Sequence, residues 1–211
     1  MPAWGDTIGR LITIEGLDGA GKTTLVSGLE AALQDRGLDV RPLREPGGVE
    51  LSEHLRDVVK DPERRIAPRT EALLYATARA QLVDELLEPL LASGVWVLLD
   101  RFVDSSLAYQ GAGRGLGVEA IRALNAFATG GLQADRTLLL RLDPAAGRER
   151  AQQRLLPADR LEAEGDAFFA AIASCYDELA AAEPERIRVL DAMRAPDELV
   201  ADAMTALADL L

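Results

Sequence analysis

Gly16-Leu17-Asp18-Gly19-Ala20-Gly21-Lys22-Thr23 fits the pattern G-x-x-x-x-G-K-[ST]. Glycines at these positions let successive backbone N–H groups turn inward around an anion. A helix that starts at the last of them aims the positive end of its dipole at the same point. Lys22 would then reach the β- and γ-phosphates of a nucleoside triphosphate, and the Thr23 hydroxyl would bind Mg²⁺. Composition sharpens the point. Only Lys22 and Lys60 among the 23 basic residues are lysines, so a chain that rarely uses lysine has one where this loop requires it. The motif alone does not separate kinases from GTPases, ATPases or nucleotide-driven switches. Guanine-specific GTPases read their base through N-K-x-D; the single asparagine here, Asn125, is followed by alanine, which excludes that class. No ABC-type signature segment and no basic run of the helicase kind is present.

A second set of charged residues follows the apolar runs. Asp100-Arg101 comes directly after Val95–Leu99 (VWVLL). A carboxylate there can hold Mg²⁺ through water, and an arginine can bridge donor and acceptor phosphates with its planar fork. Arg44-Glu45-Pro46-Gly47-Gly48 ends another short apolar run and offers an arginine and a glycine turn to a second anion. Arg56 and Arg79 lie on the helices that follow. Tyr75 and Arg79 are four residues apart, so they share a helix face and could hold a planar base between ring and guanidinium. His54, the sole histidine, reads as a helix-surface residue, and Cys175 as a small, packed apolar one.

The elements that must carry these groups alternate. Strands are expected at Arg10–Glu15, Asp39–Arg44, Val95–Leu99, Arg136–Leu142 and Arg186–Leu190. Helical periods cover Gly21–Arg36, Val49–Val59, Pro68–Ala92, Val118–Thr129, Leu161–Ala182 and Pro196–Leu211. A further helix starts at Asp143-Pro144, an N-cap followed by an N1 proline. Strands separated by helices imply a parallel sheet wrapped on both faces, with ligands outside the carboxyl ends of the strands. Both charged sets fall at those ends.

Bulk properties set the bounds. A chain of 211 residues is long enough for one well-buried domain with a small lid, and no linker, repeat or low-complexity tract divides it. The apolar runs fall far short of the roughly 20 residues that cross a bilayer. The first nine residues have neither a basic flank nor an apolar core, so no secretory signal is expected. A lone cysteine excludes an intramolecular disulfide and suits a reducing cytoplasm. The net charge of −12 argues against a general nucleic-acid binder, but a local arginine cluster can reverse the field inside one cleft.

Five segments together resemble the thymidylate kinase family: IEGLDGAGKTT (14–24), REPGG (44–48), ALLYATARAQ (72–81), LLDRFVDSSLAYQGAGRGLG (98–117) and DRLE (159–162). They run in the family's order across most of the chain, and the fourth is the most specific. The resemblance implies a three-layer α/β/α P-loop fold with a five-stranded parallel sheet and a small mobile lid at about 148–162 within a single domain. It implies transfer of the γ-phosphoryl of ATP to dTMP, giving dTDP and ADP in dTTP synthesis, with Mg²⁺ as cofactor.

Roles carry over by position. Arg44, Arg56 and Arg101 would grip the dTMP phosphate, and Asp18 would meet the sugar 3′-hydroxyl or the metal, with Thr23 and Asp100 the other metal ligands. Tyr75 would stack on thymine, with Arg79, Ser105, Ser106 and Gln110 near its polar edge. Tyr109 would crowd the 2′ position and favour deoxyribose. ATP would be held by residues 16–23 together with Thr24, Arg148 and Arg160. Lys22, Arg101 and the lid arginine Arg154 would stabilise the transferring group. Two departures stand out: Tyr75 occupies a position usually held by phenylalanine, and Gly19 stands where some members carry an arginine. Members of that kind supply the charge from the lid, and Arg148, Arg150, Arg154 and Arg160 form such a cluster here. The family is typically a homodimer through helices flanking the sheet. A kinase for another nucleotide and a catalytically silent nucleotide-binding regulator remain the competing readings.

Overall fold

The computed structural model describes residues 9–152, 160–161 and 163–211. Five strands, β1 (Arg10–Gly16), β2 (Val40–Arg44), β3 (Trp96–Asp100), β4 (Arg136–Arg141) and β5 (Ile187–Asp191), form one sheet in the order β2-β3-β1-β4-β5. Every neighbouring pair is parallel. Successive strand residues face opposite layers, and both layers are covered. Ile12, Ile14, Leu98, Leu138 and Leu140 pack on α1 (Lys22–Gln34) and α9 (Pro196–Ala206). Their strand neighbours Leu11, Val97, Leu99 and Leu139 face the other way, onto the helices that follow β2, β3 and β4. The result is the three-layer α/β/α arrangement with a five-stranded parallel sheet that the alternation predicts.

Helix α2 (Glu50–Lys60) packs on α3 (Pro68–Leu82). The period over Pro68–Ala92 belongs to α3, a π-helical turn at Val83–Leu87 and α4 (Glu88–Ala92). Pro89 has no N–H to give, and the ladder widens just before it, with the Glu88 N–H reaching the Val83 carbonyl. Beyond β3 lie two elements without an amphipathic period: α5 (Val103–Ser106) and a π-helical turn at Leu107–Gly113. Residues 104–111 are all buried, so no polar face marks them as helical in sequence.

α6 (Val118–Ala128), α7 (Pro144–Gln152) and α8 (Asp166–Ala182) complete the chain. The Asp143 carboxylate accepts from the N–H groups of Ala145 (2.9 Å) and Ala146 (3.3 Å), capping α7 as expected. α8 starts at Asp166 rather than Leu161, whose buried side chain packs on the core ahead of the helix. His54 is exposed on α2. Cys175 is buried in α8, and burial pushes its thiol up to about 11, which fits a packing role. No helix among the described residues is long and apolar enough to cross a membrane. Of the expected lid, residues 153–159 and 162, Arg154 included, lie outside the described residues.

Candidate active site

β1 ends in Gly16 at φ 134°, where a Cβ would stand 2.5 Å from the Leu140 carbonyl oxygen of β4. The chain can therefore leave the sheet only through glycine. Gly21, at φ 93°, caps α1, and Lys22 is its first residue. Lys22 is buried and folds back, its Nζ donating to the carbonyls of Gly16 (3.2 Å) and Leu17 (2.9 Å). Loss of solvent and the nearby Arg101 pull its ammonium down to about 8, against Asp18. Gly19 sits at φ 85°, and a Cβ there would lie 2.5 Å from the Gly147 carbonyl oxygen of α7. Gly147 is tight from its own side too, a Cβ on it reaching the Asp18 carbonyl oxygen at 3.0 Å. An arginine at position 19 is thus incompatible with the way α7 packs on the phosphate loop.

Arg101 follows β3 with φ 72°, the one non-glycine residue of positive φ among the described residues. Its Nη2 donates to Asp18 Oδ1 at 2.8 Å, its Nη1 donates to the Gly16 carbonyl at 3.1 Å, and it lies over the Tyr109 ring at 5.0 Å. Burial raises the Asp18 carboxyl, but Arg101 and then Lys22 outweigh it and hold the group well below the usual carboxylate range. The Tyr109 hydroxyl donates to Asp18 Oδ2 at 3.4 Å. Asp100, beside Arg101, keeps Oδ1 buried with no hydrogen-bond partner, an oxygen still open to a cation or a water.

These groups open on a pocket of about 510 Å³. It brings together Asp18, Gly21, Lys22, Thr23 and Thr24 from the loop and α1, and Asp100 and Arg101 from β3. Arg44, Arg56, Tyr75 and Arg79 reach it from β2, α2 and α3. Ser105, Ser106, Tyr109 and Gln110 reach it from α5 and the π-helical turn, which lets the consecutive Tyr109 and Gln110 both face inward. Six cationic side chains and three carboxylates line this space in a chain whose net charge is −12. The local field is therefore the reverse of the overall one.

Several of these side chains are already held. Arg44 donates to both carboxylate oxygens of Glu53, at 3.0 and 2.9 Å. Arg56 Nη1 donates to the Pro46 carbonyl at 2.8 Å, beyond the cis Glu45–Pro46 bond. Arg79 is buried and donates to Glu45 Oε2 (2.8 and 2.5 Å), Ser106 Oγ (2.8 Å) and the Phe102 carbonyl (2.9 Å), and also to Asn125 Oδ1. Burial raises the Glu45 carboxyl, with Arg79 opposing. Gln110 Nε2 donates to Glu71 Oε1 at 2.9 Å.

Other expected site residues lie elsewhere. Gly16, Leu17, Gly19 and Ala20 shape the loop without lining the pocket. Arg148 pairs with Asp166 at the start of α8. Arg160 donates to the Val59 carbonyl (3.0 Å) and pairs with Glu71 (2.6 Å), away from the pocket wall.

Residues given no site role in the sequence reading also matter. Lys60, the second of the two lysines, ends α2 one turn beyond Arg56 and lines the same pocket. Leu161 joins it on the wall. Glu15, Glu45 and Glu71 are buried carboxylates that anchor the site from behind. For Glu15 the sequence signal is a single acid in an otherwise apolar run.

A family model described as thymidylate kinase matches residues 14–203. The chain is 50% identical over 201 residues to a thymidylate kinase of Deinococcus radiodurans, covering 95% of this chain and 97% of that protein. It is 46% identical over 206 residues to one of Halorhodospira halophila, covering 96% and 95%. With one of Lactobacillus delbrueckii subsp. bulgaricus it shares 46% identity over 196 residues, covering 92% of each. A phosphate loop facing a strand-end arginine, and relatives matched over nearly their whole length, lead to one conclusion: the chain belongs to the thymidylate kinase family.

Proposed function

We propose that this protein transfers the γ-phosphoryl of ATP to dTMP, releasing dTDP and ADP, as a step in dTTP supply. The observation that carries the reading is one pocket holding Lys22 of the phosphate loop, Arg101 and Arg44 of two neighbouring strand ends, and Tyr75. ATP enters along the loop, its β- and γ-phosphates taking the Lys22 ammonium from the Gly16 and Leu17 carbonyls it now contacts. Arg44, Arg56 and Arg101 grip the acceptor phosphate, and Tyr75 covers the base. Asp18 and Tyr109 border the sugar, with Arg79, Ser105, Ser106 and Gln110 toward the base edge.

An anionic phosphate oxygen of dTMP attacks the γ-phosphorus as the bond to the β-bridging oxygen breaks, and ADP leaves with that electron pair. The nucleophile needs no general base, because it is already ionised at neutral pH. Catalysis then rests on in-line positioning and charge neutralisation. The open Asp100 oxygen and the Thr23 hydroxyl on the pocket wall suit Mg²⁺. Asp100 and Thr23, with Asp18 nearby, would hold the ion, which supplies neutralisation of the β- and γ-phosphate oxygens. A lid arginine, with Arg154 the candidate and Arg148 and Arg160 flanking it, adds charge when nucleotide binds.

The reading includes a cytoplasmic homodimer acting on small molecules, with no nucleic-acid or membrane partner. Exposed Leu73 on α3 and Phe127 on α6, two helices that pack together, support a face for a second copy. The test is ADP release coupled to a reporter, with dTMP, dUMP, UMP and CMP as acceptors. Turnover fastest with dTMP is expected; faster turnover with another monophosphate reassigns the acceptor, and no ADP with any of them points to a regulator.

A further inference from the structure

Behind the phosphate site lies a carboxylate that reaches no substrate position. Glu15, the penultimate residue of β1, is fully buried, and four donors converge on it. Oε1 accepts from the backbone N–H groups of Phe102 (2.8 Å) and Ser105 (3.1 Å). Oε2 accepts from Ser105 Oγ (2.5 Å) and from the hydroxyl of Tyr176 (2.8 Å), which arrives from α8. Ser105 Oγ in turn accepts from Arg101 Nη1 at 3.2 Å. A continuous path therefore runs Tyr176, Glu15, Ser105, Arg101. Its last member is the arginine whose guanidinium also spans Asp18 and the Gly16 carbonyl.

The arrangement answers a backbone problem. Arg101 holds φ 72°, a conformation an L-residue keeps only where its surroundings enforce it. On one side its N–H is fixed to the Ile14 carbonyl at 3.0 Å. On the other, Glu15 ties down the first N–H groups of α5, which have no partner within the helix. The same carboxylate accepts the hydrogen bond of the Ser105 hydroxyl, so that a lone pair of Ser105 Oγ is left to face Arg101. Tyr176 occupies a further site on Oε2 and stops the carboxylate from turning. Its ring is buried, and its hydroxyl lies 3.1 Å from Ser105 Oγ.

We propose that Glu15 and Tyr176 are positioning residues for phosphoryl transfer, setting the Arg101 guanidinium through Ser105 without touching substrate. This rests on the reading of Arg101 as the phosphate-gripping arginine. Misplacement of a reacting or stabilising group by about 1 Å costs on the order of 10²-fold in rate. Loss of one hydroxyl from the path is expected to cost about 10-fold.

The experiment is a kinetic cycle on the full-length protein with ATP and dTMP, comparing wild type, Tyr176→Phe, Arg101→Ala and the double variant. Tyr176→Phe is expected to lower kcat about 10-fold with KM for ATP within about twofold, and to change kcat less than about twofold once Arg101 is absent. An equal loss in both backgrounds marks a merely structural tyrosine and overturns the proposal. So does full activity of Tyr176→Phe beside an impaired Arg101→Ala. Near-wild-type turnover of Arg101→Ala itself overturns the underlying reading, and that single variant tells the two failures apart. Glu15→Gln, at the other member of the path that lines no substrate position, gives the same cycle should Tyr176→Phe not fold.

Discussion

Replacing Glu15 with glutamine should remove the loss of stability that wild type suffers as pH rises, and lower activity. The carboxyl of Glu15 is raised from 4.5 to about 6, first by burial and then by Asp104, while Arg101 and the hydroxyls of Ser105 and Tyr176 oppose. A raised carboxyl means that the native state holds its proton more tightly than the unfolded chain. Its contribution is fully present below 4.5 and is lost as pH rises through about 6. The shift corresponds to roughly 2 kcal/mol of destabilisation at pH 8, of which a little under half is already present near pH 5. Glutamine keeps the shape and an acceptor for the Phe102 and Ser105 N–H groups but cannot ionise. Glu15→Gln is therefore expected to gain on wild type by about 1 kcal/mol between pH 5 and pH 8, or about 2–4 °C in Tm. Urea unfolding at pH 5, 6, 7 and 8 measures it, and kcat should fall as Ser105 loses its acceptor. A stability difference that stays flat across this range, or grows toward pH 5, refutes the reasoning.

Other perturbations separate the remaining parts. Arg101→Ala should cut kcat by on the order of 10³-fold, the scale of a transition-state arginine, in the coupled ADP assay. Gly19→Ala places a methyl group 2.5 Å from the Gly147 oxygen at a φ of 85°, so urea unfolding should show a loss of about 1–3 kcal/mol. Lys60→Ala should raise KM for dTMP roughly fivefold, the scale of one partly exposed charge, with an effect that shrinks as salt is added. Asp100→Asn should raise the Mg²⁺ concentration needed for half-maximal rate, read by titration of the metal at fixed ATP.

The readable parts of this protein are those whose physics is local. The phosphate loop shows in sequence because glycine spacing, strand and helix all fall within Arg10–Gln34. Each strand was expected within a residue or two of where it lies, since β-branched and leucine runs bounded by turns are local signals too. α5 and the π-helical turn after it were not legible, because burial on all sides removes the period that betrays a helix. The carboxylates were the harder loss. Glu15 meets partners 87 to 161 positions away, and Arg79 meets Glu45 across 34, so nothing near either residue in sequence announces the pairing. Arg160 shows the converse. An arginine near a motif invites a phosphate role, while its actual partner, Glu71, lies far back on α3.

A side chain on Gly19 would run into the Gly147 carbonyl, and one on Gly147 would press on the Asp18 carbonyl of the same loop. That contact turns a question of residue identity into one of architecture. An arginine at position 19 and α7 seated on the loop as it is here are mutually exclusive, since the first needs the space the second fills. No single substitution converts one into the other: Gly19→Arg would have to lift α7 off the loop, and with it the base of the segment that carries Arg148.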